Sequence, residues 1–196
     1  TITGNIGAEN FALKDVHANA QTLTLSNGKK AYAETFKFTG AGAKITVEDE
    51  GELHAGNFTS AAGGAGGAGR HGKIVFVKNG TIEGTIGAKN NAIELVEVSS
   101  PEGTVTVGAG DHYVTKFNIA AAAVSSFKFK DGANINGAIS TSEANQGSLE
   151  FEGTSTVTGE VGNAKAFKTI TVLGEEGKIV DFQGAVTANT LEINHK

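Results

Sequence analysis

The sequence contains no cysteine, methionine or tryptophan, and its only proline is Pro101. The lack of cysteine excludes a disulfide framework and any thiolate metal site, and it suits a chain that stays unlocked while it crosses an oxidising compartment. No apolar run approaches the ~20 residues of a membrane span, and the first residues do not resemble a secretion signal. The formal net charge of −5 is spread along the chain without a basic stripe. This distribution argues against nucleic acid or an anionic membrane as a partner.

Glycine and small β-formers dominate what is present. The 196 residues include 28 glycines and 11 phenylalanines, a glycine content of about twice the usual frequency. Many Thr, Ser, Val and Ile residues favour paired strands, and glycine permits tight corners. The composition predicts thin strands and gives little support for helix.

One octapeptide pattern occurs three times, at Thr1–Ala8, Thr81–Ala88 and Thr156–Asn163. The copies begin 80 and 75 residues apart, and each alternates β-branched and polar residues before a glycine. Such alternation is typical of a strand with one buried face. The chain is therefore expected to contain an internal repeat.

A second match lies upstream of the octapeptide. Gly72–Phe76 stands 75 residues before Gly147–Phe151, which is also the offset between the octapeptides that follow them. The two matches predict a single solenoid domain over 1–196, with repeat units near 1–71, 72–146 and 147–196. The first octapeptide lacks the strand that precedes the other two, so we expect the chain to be a fragment of a longer protein.

Short alternating apolar runs recur roughly every 8 to 13 residues. They are Ile74–Phe76, Ile82–Ile86, Ile93–Val98, Val105–Val107, Phe117–Ile119, Phe127–Phe129, Ile135–Ile139 and Leu149–Phe151. With a repeat of ~75 residues, this spacing predicts a right-handed parallel β-helix of about eight or nine coils, roughly 40 Å long. The alternative is an antiparallel β-sandwich. Asn27-Gly28, Asn79-Gly80 and Asp131-Gly132 are expected to supply corners with positive φ.

The stretch from Ala61 to Arg70 interrupts this rhythm, because alanine and glycine alone neither pack a core nor sustain a strand. We interpret 61–72 as a flexible insertion. It is either a spacer or a loop that contacts a partner. The candidate contact residues are Gly63, Gly64, Gly66, Gly67, Gly69, Arg70 and His71.

Catalytic and metal-binding patterns are weak. Glu48-Asp49-Glu50, with Glu52 and His54, is the densest acidic cluster, but like charges before a glycine are typical of a solvated turn. The five histidines have no metal-ligand spacing, so we expect them on the surface, and we expect no metal, cofactor or catalytic residue. The histidines are His17, His54, His71, His112 and His195.

The segment Gly147–Ile193, with its TSTVTGEVG string, resembles the repeats of rickettsial surface antigens, the autotransporters of the outer membrane protein A and B type. The resemblance continues into Lys73–Val98 and Thr1–Leu13, about half of the chain. It implies a passenger segment that is exported by type V secretion through a C-terminal β-barrel and displayed on the bacterial surface. In that family such segments serve adhesion to host cells and invasion, so the implied partner is a host-cell surface protein or glycan.

These observations favour a structural rod and adhesin rather than an enzyme. One alternative is a carbohydrate-active β-helix that gathers Glu48, Asp49, Glu50 and Asp111 in a groove. Another is a purely architectural surface-layer segment. Exposed coil ends also predict end-to-end self-association of the fragment.

Overall fold

The chain is built from β-strands. The computed structural model describes residues 1–61, 71–120 and 124–195, without the side chain of His195. The described ranges contain no helix long and apolar enough to cross a membrane. The strands, numbered in chain order, are β1 Leu13–Ala18, β2 Thr22–Leu25, β3 Lys30–Phe38, β4 Lys44–Val47, β5 Gly51–Ser60, β6 Lys73–Phe76, β7 Gly80–Ile86, β8 Ile93–Val98, β9 Thr104–Val107, β10 Gly110–Ile119, β11 Ser126–Phe129, β12 Ala133–Thr141, β13 Gln146–Phe151, β14 Ser155–Val157, β15 Phe167–Gly174, β16 Val180–Phe182 and β17 Ala188–His195.

The alternation of apolar and polar residues along the sequence decides which side chains of these strands face the interior and which face solvent. In β4, Ile45 and Val47 are fully buried, whereas Lys44 and Thr46 lie on the outer surface. Successive side chains of a strand point to opposite faces, so a period of two buries one face and solvates the other. Each of the eight alternating runs identified in the sequence lies within one of the strands β6 to β13.

All pairings between these strands are parallel, and they form two sheets. The nine odd-numbered strands pair in chain order in one sheet, and the eight even-numbered strands pair in the other. A chain that visits two sheets alternately and pairs each strand with the strand two positions later is a solenoid. The parallel β-helix prediction is confirmed, with about eight turns. The antiparallel sandwich is wrong, because hairpin connections cannot give parallel neighbours.

One row of inward-facing side chains runs through every level of the nine-stranded sheet. We call this row the core column. Each member lies directly opposite the next in the strand register, so neighbouring levels are one strand spacing, about 4.8 Å, apart. The core column consists of Ile6, Ala31, Leu53, Ile82, Val107, Phe129, Phe151, Val172 and Ile193.

Phenylalanine fills the wide part of the interior. Phe129 and Phe151 stack with ring centroids 5.0 Å apart, and Phe127 stacks on Phe129 at 5.9 Å. Phe117, from the other sheet, meets both Phe127 and Phe129 edge-on. Offset and edge-on ring pairs add about 0.5–1.5 kcal/mol each beyond the burial of their area. These contacts therefore tie the two sheets together as well as neighbouring turns.

The three octapeptide copies do not stack on one another. Ile82 of the second copy stands in the core column with Ile6, although its sequence counterpart in the first copy is Ile2. Val161 of the third copy lies between Ile139 and Val186, outside the core column. Three turns separate Ile6 from Ile82, so the 80-residue offset of the first two copies exceeds a whole number of turns. The sequence repeat is out of phase with the solenoid turn.

The shared feature of the copies is a corner. Each copy contains a glycine with positive φ: Gly7 at 63°, Gly87 at 74° and Gly162 at 69°. A Cβ atom at these positions would collide with a backbone carbonyl oxygen of the next turn, from Tyr32, Tyr113 and Thr187 respectively. Both the left-handed backbone and the close approach therefore require glycine. The three copies therefore share a glycine corner that follows an apolar residue, Ile6, Ile86 or Val161, and the corner lies at a different place around the rod in each copy.

The corners predicted from dipeptides are only partly as expected. Gly28 and Gly132 have φ of 63° and 82°, as a left-handed corner needs. Gly80 does not have positive φ, so this prediction is wrong. Gly80 instead begins β7, and a Cβ there would strike the ring of Phe76 and the carbonyl oxygen of Gly51. The absence of a side chain at Gly80 leaves space for the buried ring of Phe76.

A second set of glycines stacks along one edge of the rod. Gly137, Gly159 and Gly184 belong to successive turns, and a Cβ on each would strike a backbone carbonyl oxygen of the preceding turn. The carbonyl that faces Gly159 is that of Gly137, and the carbonyl that faces Gly184 is that of Gly159. Glycine at each level lets neighbouring turns keep their spacing where the chain bends sharply.

His112 is fully buried, so the surface prediction is wrong for this histidine. It stands in line with Ile135 of the next turn, and its Nε2 lies 2.9 Å from the carbonyl oxygen of Gly108. Its Nδ1 is buried without a hydrogen-bond partner. Burial lowers the pKa of His112, against the opposing effect of its bond to Gly108 and of the Asp111 and Glu83 charges. The imidazole therefore occupies an inward position as a neutral ring.

We expect Gly159→Ala to destabilise the fold by about 1–3 kcal/mol, because a methyl group must displace the backbone of the adjacent turn. Gly4→Ala is the matched control, since a Cβ at Gly4 meets nothing within 4 Å. Urea unfolding followed by circular dichroism measures both variants. Equal stability of the two variants would show that the glycine edge is not closely packed.

His112 predicts a specific loss of stability in acid. Its pKa in the folded chain is below the value of about 6.5 for an unfolded histidine, so the unfolded chain binds the proton more readily. Stability is complete above about pH 6.5 and falls as the pH drops below it, by at most about 1.4 kcal/mol per pH unit. We expect His112→Gln to keep a donor for Gly108 and to lose this part of the pH dependence. Urea titrations of both chains between about pH 7.5 and pH 5 measure the difference, and parallel profiles would contradict the assignment.

Candidate functional site

The Ala/Gly-rich insertion begins and ends at one closed base. Ser60 Oγ accepts a hydrogen bond from the backbone N–H of His71 and donates one to the carbonyl of Ala61, both at 3.1 Å. Ser60 is only 7% exposed, so these bonds are shielded from water. Of the candidate contact residues, His71 is described and half-buried. The others lie outside the described residues: Gly63, Gly64, Gly66, Gly67, Gly69 and Arg70.

The acidic cluster forms a turn between β4 and β5. Asp49 Oδ1 accepts hydrogen bonds from the backbone N–H of Asn79 at 3.2 Å and from its Nδ2 at 3.0 Å. Glu50 has a positive φ of 59°, which belongs to a turn. The cluster therefore lies at a turn, as expected, and Asp49 also connects this corner to the corner of the next turn of the solenoid.

The next acidic residue, Glu52, lies between a lysine and a histidine. Its Oε2 lies 2.9 Å from Lys30 Nζ and 2.7 Å from His54 Nε2. Burial raises the pKa of Glu52, but the hydrogen bonds from His54 and Lys30 outweigh it and lower the pKa below its usual value. A carboxylate with a lowered pKa is a poor general acid near neutral pH.

Asp111 lies on β10, in the eight-stranded sheet, and its Oδ1 accepts a hydrogen bond from Asn134 Nδ2 at 2.9 Å. β5, which follows the acidic turn, belongs to the nine-stranded sheet. Asp111 shares no bonding partner with Asp49, and it does not line the groove that Glu50 and Glu52 border. Within the described ranges, no group of three acidic or histidine side chains is placed to hold a metal ion.

Ion pairs between consecutive turns cover the outer surface. Lys128 of β11 lies 2.8 Å from Glu150 of β13 and 2.7 Å from Glu152, and its hydrogen bonds to Glu150 and then Glu152 raise its pKa. Lys37 of β3 pairs with Asp15 of β1 at 2.8 Å. Exposed pairs of this kind contribute about 0–1 kcal/mol each. They mark a solvated outer surface whose register follows the core.

A groove of about 500 Å³ opens on the outer surface of β10 and β12, and we call it the β12 groove. Its floor is Ala138 and Ser140, its sides include Lys116 and Glu160, and the loop after Val161 borders it. Asn118 supports the floor: its Nδ2 donates to Glu97 Oε2 and its Oδ1 accepts from Ser140 Oγ, both at 2.9 Å. The rim carries Ser142, Asn163, Ala164 and Lys165.

Sequence reasoning missed the β12 groove. Its residues come from β10, β12 and the 160–165 segment, and none of them forms a motif along the chain. The depression exists because a small side chain, Ala138, lies between Lys116 and the position of Glu160 in successive turns. Only the strand register shows that Lys116, Ala138 and Glu160 are neighbours.

Sequence comparison relates the chain to bacterial outer membrane proteins. It is 34% identical to outer membrane protein A of Rickettsia rickettsii over 173 residues, 88% of this chain and 7% of that protein. It is 30% identical to outer membrane protein B of the same organism over 193 residues, 95% of this chain and 10% of that protein. Outer membrane protein B of Rickettsia japonica is 30% identical over 228 aligned positions, 99% of this chain and 13% of that protein.

No family model and no solved structure matches the chain. The chain spans about a tenth of the length of the relatives it matches. Their similarity nevertheless extends over 88–99% of this sequence. Together with the solenoid fold, it shows that the chain belongs to the rickettsial surface antigens of the outer membrane protein A and B type.

Proposed function

We propose that this chain is a segment of an autotransporter passenger, exported by type V secretion, that acts as a structural rod and adhesin. In this role it contacts a protein or glycan of the host-cell surface during attachment and invasion. The observation that carries the proposal is the unbroken core column, from Ile6 to Ile193, in a chain whose relatives are named outer membrane proteins. A rod of this kind extends its binding surfaces away from the cell that displays it.

The character of the outer surface supports binding rather than turnover. The densest carboxylates already have partners: Asp49 bonds to Asn79 and Glu52 to Lys30, both of a neighbouring turn, and Glu52 also bonds to His54 of its own strand. Carboxylates that serve sugar hydrolysis face each other across one cleft, with one of them kept protonated by a raised pKa. Glu52 has a lowered pKa instead. The relatives are named as outer membrane proteins and not as enzymes.

The insertion is the proposed contact loop. Its two ends, Ala61 and His71, are both bonded to Ser60, at a closed base between β5 and β6. Loops that leave a rigid scaffold carry a disproportionate share of binding functions. Arg70 and His71, at the end of the insertion, are the polar groups that this loop offers. The repeat units near 1–71, 72–146 and 147–196 form the scaffold in this proposal.

Exposed apolar residues at the last turn extend the proposal to self-association. Ile193 is 78% exposed and Leu191 is 56% exposed, although their counterparts one level earlier, Val172 and Ile170, are half-buried and buried. An open strand edge with apolar neighbours pairs readily with another strand. We propose that the isolated chain associates end to end through this face.

Binding of the purified chain to cultured host cells tests the proposal. We expect the chain to bind, and a variant that lacks 62–70, with Ala61 joined to His71, to bind at least about fivefold less. The hydrogen bonds of Ser60 to both ends of the insertion make this junction compatible with the fold. Circular dichroism and the thermal midpoint verify that the shortened chain is folded.

Three outcomes separate the roles. Weaker binding by the folded, shortened variant supports the contact loop. Equal binding by both chains identifies the insertion as a spacer and leaves the adhesin role with another surface. If neither chain binds cells, the adhesin proposal is contradicted and the architectural role is supported.

A further inference from the structure

The β12 groove arises at one position in an outward-facing row of side chains. We call this row the groove column; its members lie opposite one another in the strand register. Lysine recurs in it, and Ala138 stands immediately after one of the lysines. The members in order are Thr22, Lys44, Lys73, Leu95, Lys116 and Ala138, with Glu160 beside the next position through the Ile139–Val161 bridge.

Ala138 leaves a gap between two charged side chains. Lys116 and Glu160 are two levels apart, roughly 10 Å, with only a methyl group between them. Elsewhere in the column Lys73 pairs with Glu94 at 3.0 Å. In the part of the chain that the structure describes, neither Lys116 nor Glu160 forms a salt bridge. The gap therefore presents an available cation on one side and a carboxylate on the other.

The floor of the groove is polar and held in place. Asn118 is 7% exposed, and its bonds to Glu97 and Ser140 fix its amide. Because Ser140 Oγ donates its proton to Asn118, its lone pairs remain to accept a hydrogen bond from a ligand. The floor is thus oriented before any ligand arrives, which reduces the entropy cost of binding.

Two charged side chains at the rim, Lys165 and Glu160, already take part in hydrogen bonds. Lys165 Nζ donates to the backbone carbonyl of Ser142, and Asn163 Nδ2 donates to Glu160 Oε2. Glu160 Oε1 remains as an acceptor. Among the described residues, Lys116 Nζ forms no hydrogen bond or salt bridge and can meet an anionic group, while Lys165 keeps its charge and its other N–H donors at the rim. Ser140 and Glu160 can accept hydrogen bonds from hydroxyl groups.

The lining contains no aromatic ring and no exposed long apolar side chain. A protein partner usually inserts an aromatic or long aliphatic residue into an apolar pocket, and this groove does not provide one. A saccharide needs hydrogen-bond acceptors and donors over a shallow surface, which this groove does provide. The ammonium groups of Lys116 and Lys165 beside these groups match a sugar that carries a carboxylate.

We propose that the β12 groove binds an acidic saccharide, with its carboxylate on Lys116 Nζ and its hydroxyl groups on Ser140 Oγ and Glu160. This inference rests on the proposed adhesin function and names the ligand class of one surface on the rod. The groove is separate from the insertion, which contributes no lining residue among those described.

Titration of the isotope-labelled full chain with sialyllactose, followed by NMR, tests the inference. We expect amide shifts concentrated at residues 116–118, 138–142 and 160–165, and binding at least about tenfold weaker for neutral lactose. Lys116→Gln removes the cation and is expected to weaken sialyllactose binding about tenfold, to the level of lactose.

Ala138→Lys fills the gap while preserving the fold, because the same column already carries Lys44, Lys73 and Lys116. The new ammonium group lies next to Glu160, and we expect it to abolish sialyllactose binding. The matched control is Thr171→Lys, an equal change of charge on the nine-stranded sheet, between Glu150 and Glu192 in the register. This control is expected to bind as the unchanged chain does.

The outcomes distinguish this inference from the adhesin proposal. No sialyllactose shifts at the groove, equal binding of lactose, or full binding by the folded Ala138→Lys chain would each overturn it. If cells bind the chain but Ala138→Lys reduces that binding without any sialyllactose response, the groove contacts a protein and the saccharide assignment is wrong. Failure of the unchanged chain to bind cells while sialyllactose shifts persist contradicts only the adhesin role.

Discussion

The structure depends on the in-register stacking of inward side chains along the rod. From Ile6 to Ile193, each member of the core column lies opposite its neighbour. Each inner turn therefore packs against the turn before it and the turn after it. Phe117 joins this stack from the opposite sheet through its contacts with Phe127 and Phe129. The apolar faces are buried against neighbouring turns and against the opposite sheet, which makes stability a property of the stack rather than of any single strand.

The same register organises the outer surface. Because the backbone ladder fixes which outward side chains are adjacent, ion pairs such as Lys30–Glu52 and Lys128–Glu150 follow from it. A small residue placed among larger ones becomes a depression, as Ala138 does beside Lys116. Loops can leave at corners without changing the register, as the base at Ser60 shows. The rod can therefore vary its surface while its core is maintained.

Alternation along the chain predicts the strands β6 to β13, since period-two burial is a local property of sequence. The parallel solenoid followed only when the repeat of ~75 residues was added, because the strand spacing by itself also suits a sandwich. The octapeptide also identified an internal repeat, but local matching could not reveal that its copies lie on different sides of the rod. Asn-Gly and Asp-Gly dipeptides were less reliable as predictors of corners with positive φ. Gly28 and Gly132 have positive φ, whereas Gly80 provides space for Phe76 instead. His112 was misplaced because its burial depends on Gly108 and on the adjacent turn. The β12 groove could not be predicted from local sequence, because its lining residues become neighbours only through the strand register.

Interstrand nuclear Overhauser effects within the full chain test the stacking most directly. Parallel, in-register strands predict that backbone protons of β11 lie close to those of both β9 and β13, with Phe129 next to Val107 on one side and Phe151 on the other. They also predict contacts of Ile82 with Leu53 and Val107. Observation of these contacts in parallel order would establish the column on which the fold and its surfaces depend. Antiparallel contacts between β11 and either neighbour, or contact of Ile82 with Ile2 instead of Leu53, would contradict it.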